Sequence, residues 1–307
     1  MNFTFSDEQI LIRDMAERFF RDDYGLDVRR KHQALPGGFC RDTWARFADM
    51  GWLALGIPED LGGIGGGTVD MAILMEAMGG GLAVEPLLAT VVLGGTLIRD
   101  GARPDIQADL LPRLAAGELH LSFAYSEAQS RYDLNDVRTR AKADGSGFVL
   151  DGAKTVALHA GTADKIAVTA RTSGAERDDG GITVFLIDAD APGLTVTDYP
   201  TVDGLRAGDV ALDGVRVGAV AVLGAVYGGL PLAEAAIDRA AALVSAEAAG
   251  LMAALTRDTV AFLKERKQFG RPLGDFQALQ HRATEMYMDT ELTRSLAYMA
   301  AVRQDGD

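Results

Sequence analysis

The sequence predicts an α+β protein in three parts: an N-terminal helical domain, a middle β domain and a C-terminal helical domain. Apolar residues recur at helical spacing as far as about Ala116, and from about Leu119 they alternate in short runs. Helical spacing returns at Pro231. The expected boundaries are 1–117, 118–225 and 226–307, and a chain of 307 residues, 48% hydrophobic and 24% charged, has the length for two or three domains.

The first helix begins at a capping box, with Ser6 as N-cap and Gln9 three residues on, and places Leu11, Met15 and Phe19 on one face. The break "GIPEDLGGIGGGTVD" is glycine-rich, but it lacks the Lys-Ser/Thr of a phosphate loop and no strand precedes it. A turn between helices is expected there.

The middle runs, among them "LHLSFAYSE", "GFVLDGAKTVALHA", "KIAVTART" and "GITVFLIDAD", are separated by "ADGSG", "HAGTAD" and "RDDGG". Strands and turns at this spacing predict a small antiparallel barrel or sandwich. After Pro231, which suits a first turn, an Ala- and Leu-rich helix runs to "ERKQF". It stops at Phe269-Gly270, turns through Arg271-Pro272-Leu273-Gly274 and restarts at Asp275, running toward Val302 as a helical hairpin.

A formal net charge of −14 opposes binding to nucleic acid. One cysteine, Cys40, forms no internal disulfide, and His32, His120, His159 and His281 lack metal-ligand spacing, so no metal is expected. The start "MNFTFSDEQI" has no apolar core of a signal peptide, and the sequence offers no uncharged apolar run of membrane-spanning length. A cytoplasmic protein without membrane contact is the expectation.

Helices, then strands, then a long helical hairpin with "RKQFGRPLGDFQALQ" at its elbow resemble the acyl-CoA dehydrogenase family of flavoproteins, along the whole chain. "PEDLGGIGGG" is similar to that family's "PEEYGGLG", and "FAYSE" to its "xxxTE". "VLDGAKTVALHAGTADKIAVTART" is similar to "NGxKxWITNxxxADxxxVxART", and "ERKQFGRPLGDFQALQ" to "ERxxFGxPLxxFQ". Within the family the wording is most similar to the small subunit of pimeloyl-CoA dehydrogenase and related degradative enzymes.

The resemblance implies FAD as cofactor, an acyl-CoA substrate, electron-transfer flavoprotein as acceptor, and a homo- or hetero-oligomer with another acyl-CoA dehydrogenase subunit. It implies that Arg266 reaches the FAD pyrophosphate across a subunit interface, and that Gln268, Phe269, Leu273 and Phe276 line the same arm. Read alone, the elbow is an ordinary corner with Phe269 in the core.

At the flavin ring the family contacts fall on Tyr125 and Ser126, and on Val156 and Leu158 where Trp and Thr are usual. As residues, Val156 and Leu158 simply suit a strand. The resemblance also implies that Tyr132 would crowd the usual path of the acyl-CoA, and it matches Asp238 to a family aspartate that bonds the pantetheine. The helix-borne catalytic glutamate of the family falls at Ala240 and its arginine neighbour at Ala241, so the base is unknown. Glu234 reads as a solvated first-turn acid and Glu247 as an interface or surface acid, rather than as a base. The family's last helices would lie beyond Asp307. A heteromeric α,β-dehydrogenase subunit follows, with a non-catalytic partner completing another chain's FAD site as the alternative.

Overall fold

A computed structural model describes residues 4–306. Helices α1 (Asp7–Asp22), α2 (Leu26–Gln33), α3 (Arg41–Asp49), α4 (Thr68–Gly81), α5 (Thr96–Gly101) and α6 (Pro104–Ala115) come first. The strands follow as β1 (Leu121–Ala124), β2 (Arg140–Asp144), β3 (Gly147–Leu158) and β4 (Lys165–Arg171). After them come β5 (Ile182–Asp188), β6 (Leu194–Pro200), β7 (Arg206–Gly218) and β8 (Val222–Leu223). Helix α7 (Leu230–Glu265), the short strands β9 (Lys267–Gln268) and β10 (Arg271–Pro272), and α8 (Gln277–Gln304) end the order.

The chain divides into two compact units, one taking residues up to Lys31, Gly66–Ala83 and Ala241 onward, the other His32–Gly65 and Val84–Ala240. In the first, the capping box forms as the sequence predicts, with Gln9 N–H on the Ser6 hydroxyl at 3.2 Å and Ser6 N–H on the Gln9 side chain at 3.0 Å. The buried face of α1 differs from the expected one, however. Ala16, Phe19 and Phe20 are buried, whereas Leu11 and Met15 are exposed. The i, i+4 spacing was right in period but offset around the helix, because the adjacent Phe19 and Phe20 pull the packed stripe to their side.

Helices α4 and α7 cross closely enough that glycine is required on both. A Cβ at Gly79 would meet the Glu247 carbonyl at 1.9 Å, and one at Gly250 the Glu76 carbonyl at 1.8 Å. Helix α8 is fastened to α4 by Glu76, whose carboxylate accepts from Arg294 Nε at 2.7 Å and Tyr298 OH at 2.9 Å. The N-cap of α4 is Gly67, which has no side chain to offer. Asp305 supplies the missing cap, accepting from Thr68 N–H at 2.7 Å and Val69 N–H at 3.1 Å.

The second unit is built on one sheet, ordered β6-β7-β3-β2-β4-β5-β8, with β1 paired to β4. Most pairs are antiparallel, as alternating runs with short turns predict, but β1 lies parallel to β4 and β2 touches β4 in parallel at Arg140 and Arg171. Leu150, Ile166, Val168, Phe185, Val210 and Val215 fill its core. A π-helical stretch, Leu88–Gly95, packs on β1, where Gly94 leaves room for Leu121. The α2–α3 loop closes on the same unit. Gln33 donates to the Gly204 carbonyl at 3.0 Å, and Phe39 lies against both His120 and His159, at 5.3 and 6.0 Å between ring centres.

Helix α7 is, among the described residues, the one helix long and apolar enough to cross a membrane by length and composition alone. Its Ala233, Ala236, Leu243, Ala246 and Ala249 are buried in protein.

Candidate functional site

The sequence breaks the long helix because the chain builds a small hairpin between α7 and α8. Arg271 pairs with Gln268 and Pro272 with Lys267, leaving Phe269 and Gly270 as a two-residue tip. Both tip residues have positive φ, +54° and +78°, the geometry of a turn that matches strand twist. Glycine takes this conformation freely, whereas an aromatic side chain does so under strain. Leu273 N–H donates to the Arg266 carbonyl at 2.8 Å and closes the base of the hairpin. Gln280 Nε2 donates to the Gly274 carbonyl at 2.8 Å and ties the turn to α8.

An ordinary corner with Phe269 in the core is thereby excluded, for Phe269 is 91% exposed. The hairpin gathers Arg266, Gln268, Phe269, Leu273 and Phe276 on one projecting element, with Leu273 and Phe276 half-buried and the others exposed. Arg266 has no ion-pair partner among the described residues, so its guanidinium is available to an anion.

Of the expected ring-side residues, Ser126 is joined to β3 next to Val156. Thr155 N–H donates to the Ser126 carbonyl at 2.8 Å, which joins the segment after β1 to β3. The adjacent residues Lys154 and Glu127 form a pair not singled out from the sequence: Lys154 Nζ donates to Glu127 Oε1 at 2.7 Å and to the Thr169 hydroxyl at 2.9 Å. Burial pulls the Lys154 ammonium down to about 8, with Glu127 opposing the fall. Burial alone would raise Glu127, but the Lys154 charge and the hydrogen bonds it accepts hold it at about 2. Both therefore stay ionised near neutral pH. The signal was present in the sequence, as the Glu of "SE" and the Lys of "GAK".

Val156 is not a simple strand residue. The β3–β7 register shifts between Lys154 and Ala157, so Thr155 and Val156 form a bulge opposite Asp209. Val156 has φ +56°, which a β-branched residue rarely adopts, and its side chain is half exposed. Its N–H donates to Asp209 Oδ1 at 3.3 Å, and Tyr199 OH donates to the same atom at 2.8 Å. Leu158 is half-buried, and its carbonyl accepts from the Ser122 hydroxyl at 2.8 Å. The bulge thus carries neither an aromatic side chain at 156 nor a hydroxyl at 158.

Tyr132 and Asp238, distant in sequence, line one cavity of about 400 Å³. Tyr132 stands at its rim, 97% exposed. Asp133, Asp179 and Glu234 share the lining, and among the described residues no Lys or Arg does. Glu234 thus faces this cavity rather than featureless surface. Further along α7, Ala240 is buried and brings no carboxylate to the helix.

Comparison with known proteins finds matches along the whole chain. The acyl-CoA dehydrogenase N-terminal domain family matches residues 6–118, the middle domain family 122–215 and the C-terminal domain family 227–307. The probable acyl-CoA dehydrogenase YngJ of Bacillus subtilis is 30% identical over 311 residues, covering 99% of this chain and 81% of its own. Among solved structures, the Tcur3481-Tcur3483 steroid ACAD G363A variant is 29% identical with a TM-score of 0.86, covering 98% of this chain and 79% of that one. The ChsE4-ChsE5 complex from Mycobacterium tuberculosis is 26% identical with a TM-score of 0.89, covering 100% and 80%. With the helical ends, the central sheet, the projecting hairpin and all three domain families in chain order, the protein belongs to the acyl-CoA dehydrogenase family.

Proposed function

We propose that this chain is a subunit of a cytoplasmic, heteromeric, FAD-dependent acyl-CoA dehydrogenase, and that it lends its hairpin to the FAD held on a partner subunit's shelf. The observation that carries the reading is the projecting arm, with Arg266 unpaired among the described residues and Phe269 strained and exposed. Arg266 would hold the pyrophosphate, with Gln268, Phe269, Leu273 and Phe276 alongside. FAD, when bound, supplies the hydride acceptor for α,β-dehydrogenation of the acyl thioester.

The chain's own ring side fits less well, which favours a division of labour between subunits. Val156 and Leu158 offer an aliphatic surface, and Ala240 provides no base for the α-proton. The second reading, a non-catalytic partner that completes another chain's site, draws on the same two features. The ChsE4-ChsE5 structure is a complex of two named chains, consistent with pairing of unlike subunits. Electron-transfer flavoprotein is the proposed acceptor, and the three domains are proposed at 1–117, 118–225 and 226–307.

Flavin content decides the matter. The chain expressed alone and with its genomic neighbour is purified, and flavin absorbance is set against protein mass. One FAD per pair of chains with the partner, and little with this chain alone, is expected. Arg266→Ala should lose more flavin than Lys267→Ala. Full flavin occupancy of this chain by itself, reduced rapidly by an acyl-CoA, would sink the heteromeric reading.

A further inference from the structure

We propose that Arg271 is a positioning residue of the cofactor arm: it holds Phe276, and through it Phe269, in place before FAD arrives. The inference rests on reading the hairpin as the FAD arm. The Arg271 guanidinium carbon lies 4.1 Å from the centre of the Phe276 ring. That ring meets Phe269 nearly edge-on, 6.1 Å between centres and 79° between planes. Three side chains from the two sides of the turn thus form one stack, and the cation sits on the aromatic ring, where the quadrupole attracts it.

The stack answers a physical need. Phe269 stands in a strained conformation at an exposed tip, and beside it the Cβ position of Gly270 meets nothing within 4 Å. A two-residue hairpin has no core beneath it, so its side chains would sample many rotamers, and a ligand would have to order them on binding. Arg271 reduces that loss. Its planar guanidinium covers the face of Phe276, a geometry a lysine ammonium reproduces only in part. Arg271 is exposed and acts here through Phe276 rather than on the cofactor itself.

The test uses the flavin-binding assembly of this chain as purified, stripped of flavin and titrated with FAD at several salt concentrations. Arg271→Met keeps the length and removes the cation. It should weaken FAD binding about two- to fivefold, the range expected of an exposed cation–π contact, with an unchanged salt dependence. Arg271→Lys should recover part of the loss. In the flavin-free assembly, exchange of the Leu273 amide hydrogen should quicken in Arg271→Met while global stability stays the same. Unchanged affinity in Arg271→Met overturns the inference, and so does weaker affinity with a flatter salt dependence, which would make Arg271 a phosphate ligand. Arg266→Ala separates the two levels. If it binds FAD as well as wild type, the arm reading falls and this inference with it; if it loses FAD while Arg271→Met does not, only the positioning role falls.

Discussion

Lys154 Nζ lies 2.7 Å from Glu127 Oε1, and both side chains are almost wholly removed from solvent, 0% and 3% exposed. This pair fastens the segment after β1 to the bulge of β3, at the point where Ser126 and Thr155 also bond. Breaking it from one side leaves a buried charge alone. Lys154→Met should therefore cost roughly 3–5 kcal/mol in urea unfolding, and adding Glu127→Gln should return part of that. A loss below about 1 kcal/mol for the single change would show the site to be wetter than its burial implies.

Acid should weaken the fold through proton uptake by buried groups, with His159 and Glu127 acting in different pH ranges and the lowered His120 adding to the first. Burial, then the charges of His120 and Arg206, pull the His159 imidazole from 6.5 to about 4. The unfolded chain binds this proton first as pH falls, so the stability His159 contributes is fully present above 6.5 and is lost as pH falls through 4. The difference is on the order of 3 kcal/mol. Glu127 follows: with its carboxyl held at about 2 against 4.5, its contribution is present above 4.5 and is lost as pH falls through 2. His159→Asn, a residue that tolerates the left-handed φ of +54° at this position, should flatten the first loss and leave the second. Chemical unfolding at half-unit steps from about pH 7 to about pH 2 measures both losses, and an unchanged slope between 6.5 and 4 would assign the first loss elsewhere.

Phe269→Asn should separate stability from cofactor affinity. Asn-Gly is the preferred pair for this turn, and relieving the aromatic strain should stabilise the flavin-free chain by about 1 kcal/mol. Flavin retention in the assembly should fall, because the exposed ring is lost from the arm. Retention equal to wild type would remove Phe269 from the cofactor contacts.

Much of the site was legible because it is local. The elbow announced itself through Phe269-Gly270 and Pro272 within a few residues, and the capping box through Ser6 and Gln9. Pairings between distant segments were less legible. Period two identifies β1 and β4 as strands but says nothing of their running parallel, and the Glu127–Lys154 contact spans 27 residues. The strain at Val156 was hidden for another reason. Its residue type favours a strand, and the bulge that forces its left-handed φ comes from the register with β7. Tyr132 and Asp238 were singled out separately, and only the fold puts them on one cavity.

The cap on α4 has a consequence for the order of folding. Thr68 and Asp305 are 237 residues apart, so on the ribosome the first turn of α4 emerges long before the carboxylate that completes it. Until then its leading amides can bond only to water, and the helix start frays. Docking of α8 then closes a very long loop, a slow and late event for which the cap is part of the reward. Helix α4 should accordingly gain its N-terminal protection among the last elements of the chain, although it is among the early ones to be synthesised.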